Sequence, residues 1–120
     1  LKIIEDFIKR NKIKTTVVGI KTIRDKNGVA LSTRNFLLSK RQKILASMIY
    51  KIILRKKNNI INNKHQLKII KKMFLNLGVR KIDYIKIINI NKIIKPFKKG
   101  NRYKIFFAYY LNKIRLIDNI

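Results

Sequence analysis

The chain has 120 residues, a formal net charge of +26, 47% hydrophobic residues and no cysteine. That length suits one ordinary domain, or one domain with part of another, and the apolar content supports a packed core and excludes global disorder. The lack of cysteine excludes disulfides and thiolate metal sites, the apolar runs are too short to span a bilayer, and no stretch shows the zones of a signal peptide; the expected setting is cytoplasmic, away from membranes.

The chain opens on "LKIIEDFIKRNK", already in helical register, with Leu1, Ile4 and Ile8 on one stripe and Ile3 and Phe7 beside it. The expectation is a helix continuing from something longer. "KTTVVGI", residues 14–20, is continuous and β-branched, as for a strand buried on both faces of a parallel sheet. Helix then strand predicts the tail of an α/β unit, and the loop that follows lies where open α/β sheets bind ligands. A long helix begins at Ser39, which forms a capping box with Gln42, and its apolar positions are Ile44, Leu45, Met48, Ile52 and Ile53. "NNIINN", residues 58–63, is expected to break that helix. A further helix runs from about Lys64 to Leu77, with Leu67, Ile70, Phe74 and Leu77 on one face and Gly78 as its cap. Three strands follow at 81–90, 103–111 and 113–118, with a turn at "KKGN", residues 98–101. The second part is therefore α+β, two helices against a small antiparallel sheet.

The charge admits two readings. Dense Lys and Arg neutralise phosphates, which suggests a basic RNA-binding module. Against this, Ile, Lys and Asn make up 61 of the 120 residues, and Lys outnumbers Arg 23 to 8, scattered over every segment rather than gathered in one stripe. That pattern favours compositional drift toward A/T-rich codons, and no specific nucleic acid is expected as a partner. Five acids (Glu5, Asp6, Asp25, Asp83 and Asp118) show no dyad or metal-cluster spacing, and His65 has no nucleophile or ligand set beside it. No catalytic residue and no metal site are expected within this segment. Tyr103, Phe106, Phe107, Tyr109 and Tyr110 could stack nucleic-acid bases, but strand alternation divides them between two faces, which favours a central strand of a small core.

One decapeptide stands apart from the Lys-Ile-Asn background: "KNGVALSTRN", residues 26–35. It offers the flexible Gly28, adjacent hydroxyls at Ser32 and Thr33, and the guanidinium of Arg34. Hydroxyls donate to phosphate oxygens, and arginine makes paired, charge-assisted bonds to them. A plain capped turn accounts for the same residues less specifically.

Residues 23–38, "IRDKNGVALSTRNFLL", resemble the run "IR-x-x-x-G-L-A-[LM]-S-S-R-N-x-x-L" of the pantothenate synthetase (pantoate–β-alanine ligase) family. The family's closing "RLIDN" appears as residues 115–119, and "KIDYIKIINI" is similar to its "hDYhxIhD" strand. The resemblance covers nearly the whole chain.

The resemblance implies an enzyme that activates pantoate with ATP, expected with Mg2+, to pantoyl-adenylate, which β-alanine then attacks. Its partners are accordingly pantoate, β-alanine and ATP, and it leaves room for a homodimer through a preceding domain. Carried over position by position, it assigns ATP binding to Ile23 (adenine, through the backbone), Leu31, Ser32, Thr33 and Arg34. It makes residues 1–19 the last helix and strand of a Rossmann-like domain and 20–120 a C-terminal lid carrying the ATP loop. The family's HxGH motif, nucleotide loop and pantoate-holding glutamines are not in these residues, so the segment is expected to be inactive alone. Another adenylate-forming ligase or nucleotidylyltransferase is the nearest alternative. Thr33 stands for a usual Ser, Lys21 for a common Pro, Val29 for Leu and Asn89 for Asp.

Overall fold

The computed structural model describes residues 1–63 and 65–120; Lys64, the expected start of the second long helix, lies outside the described residues. The chain forms two compact units, Leu1–Lys21 with Asn89–Tyr103, and Thr22–Ile88 with Lys104–Ile120.

In the first unit, helix α1 spans Lys2–Arg10. Ion pairs Lys2–Glu5 and Arg10–Asp6 lie one turn apart on it, and Lys9 and Arg10 place positive charge at its C-terminal end. Asn11 closes the helix by donating from both backbone and side chain to the Phe7 carbonyl. None of its residues is buried. The strand expected at 14–20 does not form: these residues carry no strand ladder, and Val18 and Ile20 are exposed. A strand exists only through bonds to a neighbour, and none of the described residues pairs with this segment. The unit's second segment opens on a 3₁₀ turn, Ile90–Lys92, capped by Asn89. The Asn89 Oδ1 accepts from Asn91 and Arg102 N–H, while its Nδ2 donates to Asn101. That donation needs an amide; an aspartate here could only accept.

The second unit holds the core. Helix α2 spans Lys40–Asn62, with both halves of the Ser39–Gln42 capping box formed. It runs straight through "NNIIN" where the sequence suggests a loop. The reason is packing: Ile60 is fully buried and Ile61 lies against the core, outweighing the weak helix propensity of asparagine. The buried stripe is also shifted, to Ala46, Ile49, Ile53 and Ile60, leaving Ile44 and Met48 exposed. Helix α3, His65–Asn76, buries Ile70 and Phe74 with Leu67 partly covered. It ends in a Schellman motif: Gly78 at φ +103° donates to Leu75, and Val79 donates to Phe74.

Strands β1 (Lys81–Asn89), β2 (Tyr103–Leu111) and β3 (Ile114–Asn119) form an antiparallel sheet in that order. The β2–β3 register pairs Leu111 with Ile114 and Phe107 with Asp118, and Asn112, at φ +56°, turns the two-residue connection. β2 is central. Its Ile105, Phe107, Tyr109 and Leu111 are buried in one cluster with Ile49, Ile53, Ile60, Ile70 and Phe74 of the helices. Phe106 and Tyr110, on the other face, are half-buried. Each such buried side chain contributes on the order of 1.5–3 kcal/mol relative to exposure, so this helix–sheet interface is the main source of stability. The observed class is the expected α+β, two helices on a small sheet.

Candidate functional site

Residues 23–31 fold into a small hairpin. Arg24 and Ala30 form an isolated antiparallel bridge, Leu31 N–H donates to the Ile23 carbonyl at 3.0 Å, and Asp25 N–H donates to Val29. The Asp25 carboxylate accepts from Asn27 and Val29 N–H and so closes the turn. Gly28 sits at φ +89°, a region side chains avoid, and a Cβ there would collide with the ring of Tyr50.

The hairpin is tethered to its own unit at several points. Ser47, a buried hydroxyl of α2, donates to the Asn27 carbonyl at 2.8 Å, and Asn35 Nδ2 donates to Ala30 at 2.9 Å. The dominant tether is Arg24. Its Nη1 donates to Asp118 Oδ2 at 2.6 Å and to Gly28 O at 3.0 Å; its Nη2 donates to Asp118 Oδ1 at 3.0 Å and to Asn119 O at 3.1 Å. The guanidinium carbon lies 4.4 Å from the centroid of the Tyr50 ring, within cation–π range. The hydrogen bonds to Asp118 hold the Arg24 pKa above its usual value against the opposing effect of burial.

Beyond Ala30 the chain runs over the surface and returns to the core at Leu38, which is buried. Between them Leu31, Ser32, Thr33 and Arg34 are exposed, and Thr33–Leu37 form a 3₁₀ turn. Ser32 Oγ accepts from Arg34 N–H at 3.3 Å, so its own hydrogen stays available to another acceptor. An open cleft of about 580 Å³ is lined by Asp25, Leu31, Ser32, Thr33, Phe36 and Lys43. A smaller cavity, about 90 Å³, is lined by Leu31, Ser32, Arg34, Tyr50, Tyr109 and Asp118. Burial, reinforced by the Asp118 charge, pushes the Tyr109 phenol above the usual tyrosine range, so it remains a neutral hydroxyl.

Of the residues singled out from sequence, Leu31 and Ser32 border both depressions, Thr33 the cleft and Arg34 the cavity. Ile23 lines neither; it sits at the hairpin base with its carbonyl bonded to Leu31. The sequence reading gave no role to Arg24, Asp118, Tyr50 or Ser47. The available signal was that Arg24 lies in one quoted motif and Asp118 in the other, 94 residues apart.

A model of the pantoate-beta-alanine ligase family matches residues 1–120, and the chain belongs to that family. It is 32% identical to the pantothenate synthetase of Flavobacterium psychrophilum over 125 aligned residues, and 34% identical to that of Campylobacter hominis over 122. Each alignment covers 100% of this chain and 44% of the relative, so the chain spans less than half the length of these curated relatives. Among solved structures, the pantoate-beta-alanine ligase of Francisella tularensis, complexed with β-γ ATP and β-alanine, superposes with a TM-score of 0.68 at 29% identity. That match covers 99% of this chain and 38% of the other. The pantothenate synthetase of Thermus thermophilus shares the fold with a TM-score of 0.77 at 21% identity, over 98% of this chain and 44% of that one.

Proposed function

We propose that this chain supplies the ATP-gripping lid of an enzyme that condenses pantoate with β-alanine to give pantothenate. The observation that carries the reading is the exposed run Leu31–Arg34, held out by a tethered hairpin in a member of this ligase family, with Leu31, Ser32 and Thr33 lining a cleft of about 580 Å³ and Arg34 the smaller cavity. That volume is in the range of small-molecule sites.

In this proposal a pantoate carboxylate oxygen attacks the α-phosphorus of ATP. The bond between the α-phosphorus and the bridging oxygen breaks, and pyrophosphate leaves. The amine of β-alanine then attacks the acyl carbon of pantoyl-adenylate, loses a proton and displaces AMP. The residues here act on the nucleotide. Ser32 and Thr33 donate hydroxyl hydrogens to phosphate oxygens. Arg34 forms paired bonds to the phosphates and stabilises the charge that grows on departing pyrophosphate. Leu31 gives the nucleotide an apolar wall, and the Ile23 backbone meets the adenine edge. A closed lid keeps water from the acyl-adenylate. No cluster of three or more acidic or histidine residues occurs among the described residues, so Mg2+ accompanying ATP is assigned no protein ligands and no step here.

On this reading residues 20–120 form the lid, 1–19 belong to a preceding nucleotide-binding domain, and the segment alone is inactive in a cytoplasmic parent enzyme. A homodimer would form through that preceding domain. The test is Arg34→Ala in the full-length enzyme, read by pantoate-dependent pyrophosphate exchange. The rate is expected to fall by one to three powers of ten, roughly 1.4–4 kcal/mol of transition-state stabilisation. An unchanged rate in a folded variant overturns the assignment of Arg34.

A further inference from the structure

The run Ser32–Arg34 contributes no residue to the core; its direction is set by the hairpin before it and by the 3₁₀ turn it enters, which lies against β3. Ala30 is bridged to Arg24, and only Leu31 separates it from Ser32. A displacement of the Arg24–Ala30 pair therefore reaches the first hydroxyl across a single residue. What fixes that pair to the sheet is one guanidinium that donates to both Asp118 oxygens and the Asn119 carbonyl of β3, and also to the Gly28 carbonyl of the hairpin itself. The Arg24 and Asp118 side chains keep only 19% and 11% of their exposure.

At that burial an ion pair gains little over a well-packed apolar pair, because desolvation offsets the attraction. It does impose direction, since a bidentate fork fixes the plane of the guanidinium where an ammonium would not. Tyr50 holds the same plane from one face, and its ring also packs where a Gly28 side chain would project. Three separate parts of the chain thus converge on one side chain at the base of the presented loop: the turn at Gly28, α2 through Tyr50, and the end of β3.

We infer that Arg24, clamped by Asp118 and stacked on Tyr50, is a positioning residue that sets the reach of Ser32, Thr33 and Arg34 toward the phosphates of the nucleotide. The inference rests on the proposed ATP role of that loop. It makes Asp118 and Tyr50, which line the small cavity beside Ser32 and Arg34, part of the ATP apparatus through the position they give Arg24.

The test uses the full-length enzyme with Arg24→Lys, Asp118→Asn and Tyr50→Leu, the last preserving the ion pair should loss of the pair impair folding. In each, exchange of the Leu31 amide is expected to accelerate about tenfold, the scale of losing one hydrogen bond to a charged group, while amides of α2 and α3 stay within about twofold. The KM for ATP should rise about tenfold in Arg24→Lys, with the KM values for pantoate and β-alanine within about twofold. Unchanged Leu31 exchange overturns the clamp, as does acceleration spread evenly over the helices. Faster loop exchange with an unchanged KM for ATP overturns the positioning role. A wild-type enzyme without pyrophosphate exchange overturns the function and the ATP part of the inference together, and the amide measurement still decides the clamp.

Discussion

At Gly28 the φ of +89° and the adjacent Tyr50 ring act on the same atom: the Cβ that glycine lacks would be strained by the first and blocked by the second. Replacing it by alanine is therefore expected to cost more than about 1 kcal/mol, measurable as a shift in the denaturation midpoint. In a Tyr50→Ala background the cost of Gly28→Ala should be smaller but not zero, because the steric block is gone and the backbone strain stays. No cost of Gly28→Ala in that background would show that the backbone conformation contributes nothing. Asparagine does comparable local work with side-chain atoms: Asn89 organises its loop through three hydrogen bonds, and Asn35 ties the hairpin to the 3₁₀ turn. Asn35 Oδ1 is the one buried side-chain polar atom without a partner among the described residues.

Among the elements, α2 shows most clearly how packing overrides local preference. Its last turn contains Asn58, Asn59 and Asn62, residues that favour caps and turns over helix interiors. The turn persists because Ile60 is fully buried in the cluster shared with α3 and β2. Truncating Ile60 to alanine is expected to destabilise the protein by about 2–5 kcal/mol, and to fray residues 58–62 first, visible as faster amide exchange there than at Ile49. Equal acceleration at both positions would mean that the last turn does not depend on Ile60. The start of α2 is secured differently, by the local reciprocal bonds of Ser39 and Gln42, which need no tertiary partner.

For the whole molecule, the balance of charge is the governing feature. All five acids are engaged: four in ion pairs with Lys2, Arg10, Arg24 and Arg115, and Asp25 in the hairpin turn. Among the described residues, most Lys and Arg therefore have no acidic partner. Such a surface attracts any polyanion through counterion release, without reading sequence. Binding to unrelated RNAs is accordingly expected to be weak, similar across sequences, and steeply reduced as salt rises; titrations at two salt concentrations would show it. Sequence-selective nanomolar binding at physiological salt would instead establish a dedicated RNA surface.

Periodicity and end signals in the sequence by themselves determined the long helices, the three strands, the capping box, the Gly78 terminus and the loop that carries Ser32, Thr33 and Arg34. Each of these depends on residues within a few positions of one another, where spacing and backbone preference act directly. The tertiary structure alone decided three other matters. Residues 14–20 have strand composition but no strand, because pairing needs a neighbour that no local pattern supplies. The end of α2 and its buried stripe were set by what packs against them. The Arg24–Asp118 clamp joins positions 94 residues apart, and nothing local in either motif says that the other will be its partner. A charge pair between positions far apart in sequence forms only where the fold has already brought two backbones together, so its geometry, and with it the aim of the loop, belongs to the folded chain.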